Sequence, residues 1–359
     1  MDKSLNIGVV GCGYWGPNLI RNFNALPDSK ISAICDKDAK RLAHMQKLYP
    51  EAMITEHFVD FVKDEKLDAV AIATPVHTHY RFAKASLLAG KHTYIEKPMA
   101  ASVAECEELV ELAKKLNLTL FIGHTFIYSA PVRMIKEMIS SGYLGDVYYI
   151  NSQRLNLGLF QQDVNVAWDL APHDISIIQY LFDERPTAVN CQGKANVNAK
   201  IEDITTMSLE FSNNKFAIVQ SSWLDPNKVR KMTIVGSERM LVYDDNEPLE
   251  KIKIYDKRVD APQYYDTFGE FQYSYHYGDA SIPYLKQSEP LKTLCQHFVE
   301  CINEQAKPES SGVEGLQVVQ VLEAASKSLR EDGAKVMIEQ ANAVDAKQKT
   351  ASDSIVTIV

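Results

Sequence analysis

A glycine-rich segment near the N-terminus carries the first residues whose types and spacing indicate chemistry. Gly11, Gly13 and Gly16 form a G-x-G-x-x-G pattern directly after a short apolar run. In this pattern the first glycine permits a tight turn, the second lets the backbone approach a pyrophosphate, and the third allows a helix to pack closely on a strand. Unpaired N–H groups at the start of such a helix attract phosphate. The segment, with Tyr14 and Trp15, therefore predicts a dinucleotide-binding site.

The carboxylate of Asp36 indicates which dinucleotide binds. Asp36 closes the second apolar run and lies 20 residues after Gly16, an offset at which a carboxylate reaches the ribose hydroxyls. A negative charge there repels a 2′-phosphate, so the residue favours NAD. The neighbouring Lys37, Lys40 and Arg41 keep NADP open.

Further candidate site residues follow other predicted strands. Thr74 and Pro75 come after the run 68–73 and would lie at the carboxyl end of the sheet, where cofactors bind in such folds. His79 either contacts the nicotinamide region or caps the helix that follows. His124 comes after the last strand of this half and either faces the cleft or packs inside the protein.

The first 123 residues predict the scaffold that positions these groups. β-branched runs alternate with helix-period stretches, which indicates parallel strands covered by helices on both faces. The predicted strands are 5–10, 30–35, 68–73, 92–95 and 119–122, and the predicted helices are 15–26, 39–48, 79–89 and 103–117. We therefore expect residues 1–123 to form an α/β Rossmann domain, a doubly wound parallel sheet.

The pattern changes in the second half. Turn signals such as Ser212–Asn213–Asn214 separate consecutive β-type runs, which suggests an antiparallel sheet. The predicted strands are 146–155, 187–197, 205–211, 216–222, 230–235 and 239–243, and the predicted helices are 130–141, 172–182, 290–303 and 312–331. We expect an α+β domain with an open, mostly antiparallel sheet over residues 124–340, and a polar tail at 341–359.

Composition excludes several classes of protein. Among 359 residues, 47 acidic side chains outnumber 38 basic ones, which gives a net charge of −9 and argues against a nucleic-acid partner. No run approaches the roughly 18–20 apolar residues that span a bilayer, and the N-terminus has no signal-peptide pattern. The six cysteines are scattered without metal-ligand spacing, so we expect reduced thiols, no metal site and a cytoplasmic protein.

The tripeptide Glu96–Lys97–Pro98, together with the glycine pattern, resembles a signature of the Gfo/Idh/MocA family of glucose–fructose and inositol-type oxidoreductases. The resemblance extends over about residues 5–335. It implies that Lys97 reaches both substrate and cofactor, that Glu96 belongs to the cofactor site, and that a cis peptide precedes Pro98.

A second match lies in the segment 168–174, where Asp169 and His173 resemble the family's D-x-x-x-H element. That element places both side chains against the nicotinamide. Family members often carry another aspartate three residues after the histidine, whereas this chain has Ser176 there. Asp174 is a candidate replacement.

The chemistry of these side chains agrees with the resemblance. Removing a hydride from a secondary alcohol requires a base for the hydroxyl proton, and the imidazole of His173 has a suitable pKa. Lys97 would donate a hydrogen bond to the same oxygen, or relay the proton. Asp169 would orient His173 or bind a neighbouring hydroxyl. These three residues are the predicted catalytic groups.

The resemblance is greatest to nucleotide-sugar and surface-polysaccharide enzymes, many of which act at C3 of a UDP- or TDP-linked sugar. Arg154 would pair with a pyrophosphate, and Asn165 would bond ring hydroxyls or an acetamido group. The predicted substrate-binding residues are Lys97, His124, Arg154, Asn165, Trp168, Asp169 and His173. The tyrosine-rich segment 264–277 either lines the nucleotide end or packs at a subunit interface.

Alternatives remain at this level. A free sugar or inositol is the nearest rival substrate, and a non-catalytic NAD(P) sensor is a different class of protein. The intact Lys97, Asp169 and His173 favour the enzyme. The open sheet, with apolar faces at 205–211 and 216–222, predicts a homo-dimer or homo-tetramer.

Overall fold

A computed structural model describes residues 4–260 and 273–339. The predicted polar tail at 341–359 and most of the tyrosine-rich segment 264–277 lie outside these described residues. Within them, no helix is both long enough and apolar enough to cross a membrane.

The first sheet has six parallel strands within the described residues, in the order β3-β2-β1-β4-β5-β6. The strands are β1 (Leu5–Val10), β2 (Ser29–Cys35), β3 (Met53–Thr55), β4 (Ala69–Ile72), β5 (His92–Ile95) and β6 (Leu120–Ile122). This is the Rossmann order. Successive strands are added on one side of β1 up to β3, and then on its other side from β4 to β6, so the strand order reverses between β1 and β4. The loops after these two strands therefore meet in one crevice. The predicted doubly wound domain is confirmed, although β3 was missed.

Helices cover both faces of this sheet, which is why the central strand β4 is entirely apolar and buried. They are α1 (Gly16–Asn24), α2 (Ala39–Leu48), α3 (Phe58–Val62), α4 (Val76–Leu88) and α5 (Val103–Leu116). Side-chain caps fix two of the helix starts: Asp38 accepts from the backbone N–H groups of Lys40 and Arg41, and Ser102 accepts from that of Glu105. The five-residue α3 was not predicted.

The second sheet is large and open. Its nine strands within the described residues follow the order β14-β13-β12-β11-β7-β10-β9-β8-β15, and β7 and β10 form its parallel pair. The strands are β7 (Val147–Leu155), β8 (Ala188–Lys194), β9 (Ile204–Glu210), β10 (Phe216–Ser222), β11 (Val229–Gly236), β12 (Met240–Asp244), β13 (Ile252–Asp260), β14 (Ser274–Ser281) and β15 (Val336–Met337). The mostly antiparallel sheet was predicted, whereas β13, β14 and β15 were not.

Four further α-helices lie in the described part of the chain: α6 (Ala130–Ser140), α7 (Val166–Phe182), α8 (Pro290–Ile302) and α9 (Gly312–Arg330). The predicted start of α7 at Pro172 is wrong, because the helix begins at Val166 and includes that proline. Asn165 is its N-cap, since the side-chain oxygen accepts from the backbone N–H of Trp168 at 3.2 Å. Asp169 and His173 therefore lie on one continuous helix, one turn apart.

Candidate active site

The glycine loop after β1 is tightly packed at two positions and open at a third. Gly11 has a φ of +95°, and a Cβ there would lie 2.6 Å from the carbonyl oxygen of Ala73. A Cβ at Gly16 would lie 1.9 Å from the carbonyl oxygen of Gly11. At Gly13 the nearest of the neighbouring atoms is a guanidinium nitrogen of Arg41, 3.8 Å away. The loop thus has room for a ligand against its backbone at Gly13.

Asp36 is held beside this loop. Its carboxylate accepts hydrogen bonds from the backbone N–H of Cys12 and, at 2.8 Å, from that of Asp38. The guanidinium of Arg41 lies 3.9 Å from the same carboxylate. Tyr14, strongly exposed, packs edge to face against Trp15 at the start of α1. A glycine cradle, a fixed carboxylate and a helix N-terminus are what a bound NAD requires, so these residues fit the cofactor.

Lys97 joins the two halves of the site. It is linked to Pro98 by a cis peptide, as the family resemblance implied. Its ammonium donates to the backbone carbonyl of Asp169 at 2.9 Å and lies 4.0 Å from Oδ1 of the same residue. Burial lowers the pKa of Lys97, while the nearby Asp169 and Glu96 oppose that effect. The lysine is therefore a desolvated cation that α7 holds in place.

Glu96 and His79 contact the backbone at and directly after this lysine. Glu96 is buried, accepts from the hydroxyl of Tyr94 at 2.8 Å and from the backbone N–H of Lys97 at 3.3 Å. Burial raises the pKa of Glu96. The ring nitrogens of His79 lie 2.9 Å from the carbonyl oxygen of Pro98 and 2.7 Å from that of Thr74.

Both nitrogens of His79 thus face backbone carbonyls, and the ring connects the loop after β4 to the loop after β5. A direct contact between His79 and the cofactor stays a prediction that this geometry does not favour. Thr74 and Pro75 lie where they were expected, at the carboxyl end of β4, and Pro75 is the N-cap residue of α4.

His173 lies next to the lysine, and its ring is held by packing more than by hydrogen bonds. Among the described residues, its buried Nδ1 has no hydrogen-bond partner. Ser176, in the place of the family's second aspartate, donates to the backbone carbonyl of His173 at 2.8 Å instead of to the ring. The ring packs edge-on against Phe126, with centroids 4.8 Å apart. Burial, followed by the charges of Lys97 and Arg154, lowers the pKa of His173 well below 6.5.

Asp174 does not replace the missing aspartate. It is buried in an ion pair with Arg154, whose Nε and Nη2 donate to the two carboxylate oxygens at 2.8 and 3.1 Å. Ser152 donates to the same carboxylate at 2.8 Å. Arg154 also lies over the ring of Phe126, at 4.9 Å from the centroid. Arg154 is thus already paired within the protein, and its contact with a pyrophosphate stays a prediction.

His124 lies inside the site, 2% exposed. Its Nδ1 is 3.1 Å from the hydroxyl of Ser310, which itself donates to the carbonyl of Ile122 at 2.7 Å. Within the described ranges, Nε2 of His124 is buried and lacks a partner. Burial, with the charge of Lys97, lowers the pKa of His124 to about 3. Buried nitrogens left without partners mark a place that a polar ligand completes.

Two predicted substrate residues already have partners within the protein. The amide nitrogen of Asn165 donates to Glu202 at 2.8 Å while its oxygen caps α7. The indole of Trp168 donates to Ser326 at 2.9 Å. Their contacts with a sugar stay predictions.

One residue of the site, Trp223, was missed from the sequence. Its indole N–H donates to Oδ2 of Asp169 at 3.0 Å. Neither its type nor its spacing gave a signal, because it follows β10 and is 54 residues from its partner along the chain. No group of three or more His, Cys, Asp or Glu side chains in the described part of the chain is arranged to hold a metal ion.

A Rossmann crevice that meets a buried lysine and histidine defines an NAD-dependent oxidoreductase. A family model described as an oxidoreductase family with an NAD-binding Rossmann fold matches residues 5–124, and a GFO/IDH/MocA C-terminal domain model matches residues 132–242. The chain belongs to the Gfo/Idh/MocA family of oxidoreductases, and its cofactor is NAD.

Individual relatives differ in what they act on. The UDP-N-acetylglucosamine 3-dehydrogenase of Acidithiobacillus ferrooxidans is 27% identical over 250 residues, 67% of this chain and 74% of that protein. The myo-inositol 2-dehydrogenase of Thermotoga maritima is 23% identical over 337 residues, 91% of this chain and 97% of that protein. The WlbA dehydrogenase of Bordetella pertussis, solved with NADH and UDP-GlcNAcA, has a TM-score of 0.76 at 19% identity and covers 94% of this chain and 100% of its own. That structural likeness shows the shared fold.

Proposed function

We propose that this enzyme transfers a hydride between NAD and C3 of a UDP-linked amino sugar. The observation that carries the proposal is the buried group formed by Lys97, His124 and His173, where two ring nitrogens lack partners among the described residues. The names of the UDP-N-acetylglucosamine 3-dehydrogenase and of WlbA's ligand support the choice of a nucleotide sugar.

The side chains have distinct tasks in this reaction. NAD held at the glycine loop and Asp36 would supply the hydride acceptor for the carbon that bears the reacting hydroxyl. His173 accepts the proton of that hydroxyl, since its lowered pKa keeps the imidazole neutral near pH 7. The ammonium of Lys97 donates a hydrogen bond to the same oxygen and stabilises its developing negative charge. Asp169 fixes Lys97 through its carbonyl. In the reverse direction the histidine returns the proton.

The loop between β7 and α7 supports a substrate larger than a free polyol. Leu157 and Leu159 are 76% and 85% exposed, and Phe160 packs on Trp223 with ring centroids 5.3 Å apart. Trp223 in turn binds the catalytic Asp169, so this apolar loop borders the reaction site. A nucleobase offers a flat surface that such side chains cover, whereas an inositol does not.

Two other functions remain as competitors. The inositol dehydrogenase relative makes a free cyclitol the rival substrate. A non-catalytic NAD sensor would have no need for a desolvated lysine beside a neutral histidine.

The test is a substrate panel read by NADH absorbance. We expect reduction of NAD with UDP-N-acetylglucosamine or its uronic acid, at a kcat/KM about 10²-fold above that with myo-inositol. A preference for the cyclitol would overturn the substrate class. Cofactor binding without turnover on any member of the panel would favour the sensor.

A further inference from the structure

Trp223 is fixed on several sides. Its side chain is 1% exposed, at the point where the chain leaves β10. The backbone N–H donates to the carbonyl of Asp203 at 2.9 Å, and the backbone carbonyl accepts from Gly158 at 3.0 Å. Phe160 packs on the ring. A buried indole held this way has little freedom, so the direction of its N–H is set by the fold.

The carboxylate of Asp169 depends on that N–H for its orientation. Asp169 lies in the first turn of α7, where its side chain would otherwise choose among several rotamers. The bond from Trp223 occupies Oδ2 at 3.0 Å and leaves Oδ1 facing Lys97 at 4.0 Å. The indole, the carboxylate and the ammonium therefore form a chain of three groups.

We propose that Trp223 is a positioning residue that aims the carboxylate of Asp169 at Lys97. Through this contact it also ties the apolar loop at 156–160 to the catalytic helix. The catalytic consequences rest on the proposed function, whereas the effect on the lysine does not.

The charge state of Lys97 depends on how the carboxylate of Asp169 is oriented. Groups that face it from the surrounding elements are Asp169 and His173 on α7, Glu96 after β5, Arg154 on β7, His124 after β6 and His79 on α4. Burial lowers the pKa of Lys97 and Asp169 opposes this effect. A carboxylate that turns away should therefore lower the pKa of Lys97 further.

The experiment is competitive acetylation of Lys97 as a function of pH, read by mass spectrometry on the full chain without substrate. Trp223→Phe removes the N–H while keeping an aromatic ring. We expect the labelling midpoint of Lys97 to shift to lower pH by about one unit, while NAD affinity stays within about twofold. In kinetics, the alkaline limb of kcat should shift in the same direction and kcat should fall about 10-fold.

Two controls separate positioning from folding. Phe160→Ala removes one packing contact but keeps the indole N–H and the backbone hydrogen bonds of Trp223, so the Lys97 midpoint should shift much less than in Trp223→Phe. In an Asp169→Asn background, Trp223→Phe should add no further shift, because the proposed route is already broken. If Trp223→Phe lowers the melting temperature, a benzothienylalanine at position 223 restores the ring volume without the N–H and should give the same shift.

An unchanged Lys97 midpoint in a folded Trp223 variant would overturn the proposal, as would an equal shift in the Asp169→Asn background. Because labelling needs no sugar, a failure to find turnover would count against the proposed function alone.

Discussion

The hydroxyl of Ser310 fixes the tautomer of His124, from which it is separated by 186 residues of chain. The hydroxyl of Ser310 has one hydrogen, which it donates to the carbonyl of Ile122 at 2.7 Å. It therefore accepts at 3.1 Å from Nδ1 of His124, so that this nitrogen carries the proton of the neutral ring. The buried Nε2 is consequently an acceptor beside Lys97.

We predict that Nε2 of His124 accepts a hydrogen bond from a hydroxyl of the substrate. His124→Asn keeps a donor near Ser310 but removes the distant acceptor, and kcat/KM should fall about 10-fold. His124→Gln places an oxygen near the position of Nε2 and should recover part of the activity. NADH binding by fluorescence should stay within about twofold in both variants. Equal kcat/KM in the Asn and Gln variants would contradict the assignment.

The pH dependence of alcohol oxidation should report His173. A base must be neutral to accept the proton, and the pKa of His173 lies well below 6.5. The acidic limb of the rate profile should therefore lie below pH 6.5, with the rate falling as the pH drops through the lowered pKa. His173→Ala should remove this limb and cost about 10²–10⁴-fold in rate. Single-turnover NAD reduction measures both effects.

Lys97→Met is the companion variant for that experiment. It should lose about 10²–10³-fold in rate and keep the acidic limb, because it removes a hydrogen-bond donor and leaves the base. An acidic limb that persists in His173→Ala and disappears in Lys97→Met would show that the lysine takes the proton.

The buried histidines should also make stability depend on pH. The pKa of His124 is about 3 in the folded protein against 6.5 for the free side chain. Between these values the unfolded state binds a proton that the folded state excludes, so the free energy of unfolding falls as the pH drops below 6.5. The contribution is about 1.4 kcal/mol per pH unit. Urea unfolding at pH 7 and pH 5 should show a smaller decrease for His124→Asn than for the wild type.

Sequence reasoning succeeded where the interacting groups are neighbours in the chain. The glycine loop was predicted because its geometry depends on consecutive residues, and the cis Lys97–Pro98 peptide was implied by the family resemblance. The predicted start of α7 was placed at Pro172, a residue type common in the first turn of helices, whereas the helix begins at Val166 and includes the proline. Trp223 is 54 residues from its partner Asp169 along the chain, and Ser310 is 186 residues from its partner His124. No local sequence pattern indicates contacts between residues so far apart.

Cofactor preference should depend on Asp36 and Arg41 in opposite ways. The Asp36 carboxylate is 6% exposed and is anchored by two backbone N–H groups, so its charge stays at the glycine loop. Asp36→Ala should raise the ratio of kcat/KM for NADPH over NADH about 10-fold, because repulsion of a 2′-phosphate is lost. Adding Arg41→Ala should reverse much of that gain, since the exposed guanidinium is then absent. An unchanged ratio in Asp36→Ala would contradict the role of this carboxylate.

The outer face of the large sheet should form a subunit interface. Ser152 and Arg154 of β7 point toward α7, so the alternating Tyr149, Asn151 and Gln153 belong to the opposite face. Ile218 on β10 pairs with Asn151 and extends this face, where its side chain is partly exposed.

An open sheet with apolar side chains on a half-exposed face favours association with a second copy. We expect a homo-dimer or homo-tetramer by light scattering at micromolar concentration. Ile218→Glu should shift the protein toward the monomer, because it would place a charge in the buried interface. Ala217, the neighbouring residue of β10, is buried on the inner face, and Ala217→Ser serves as a control that should leave the mass unchanged. A wild-type protein that is strictly monomeric, or an Ile218→Glu variant with an unaltered mass, would exclude this face as the interface.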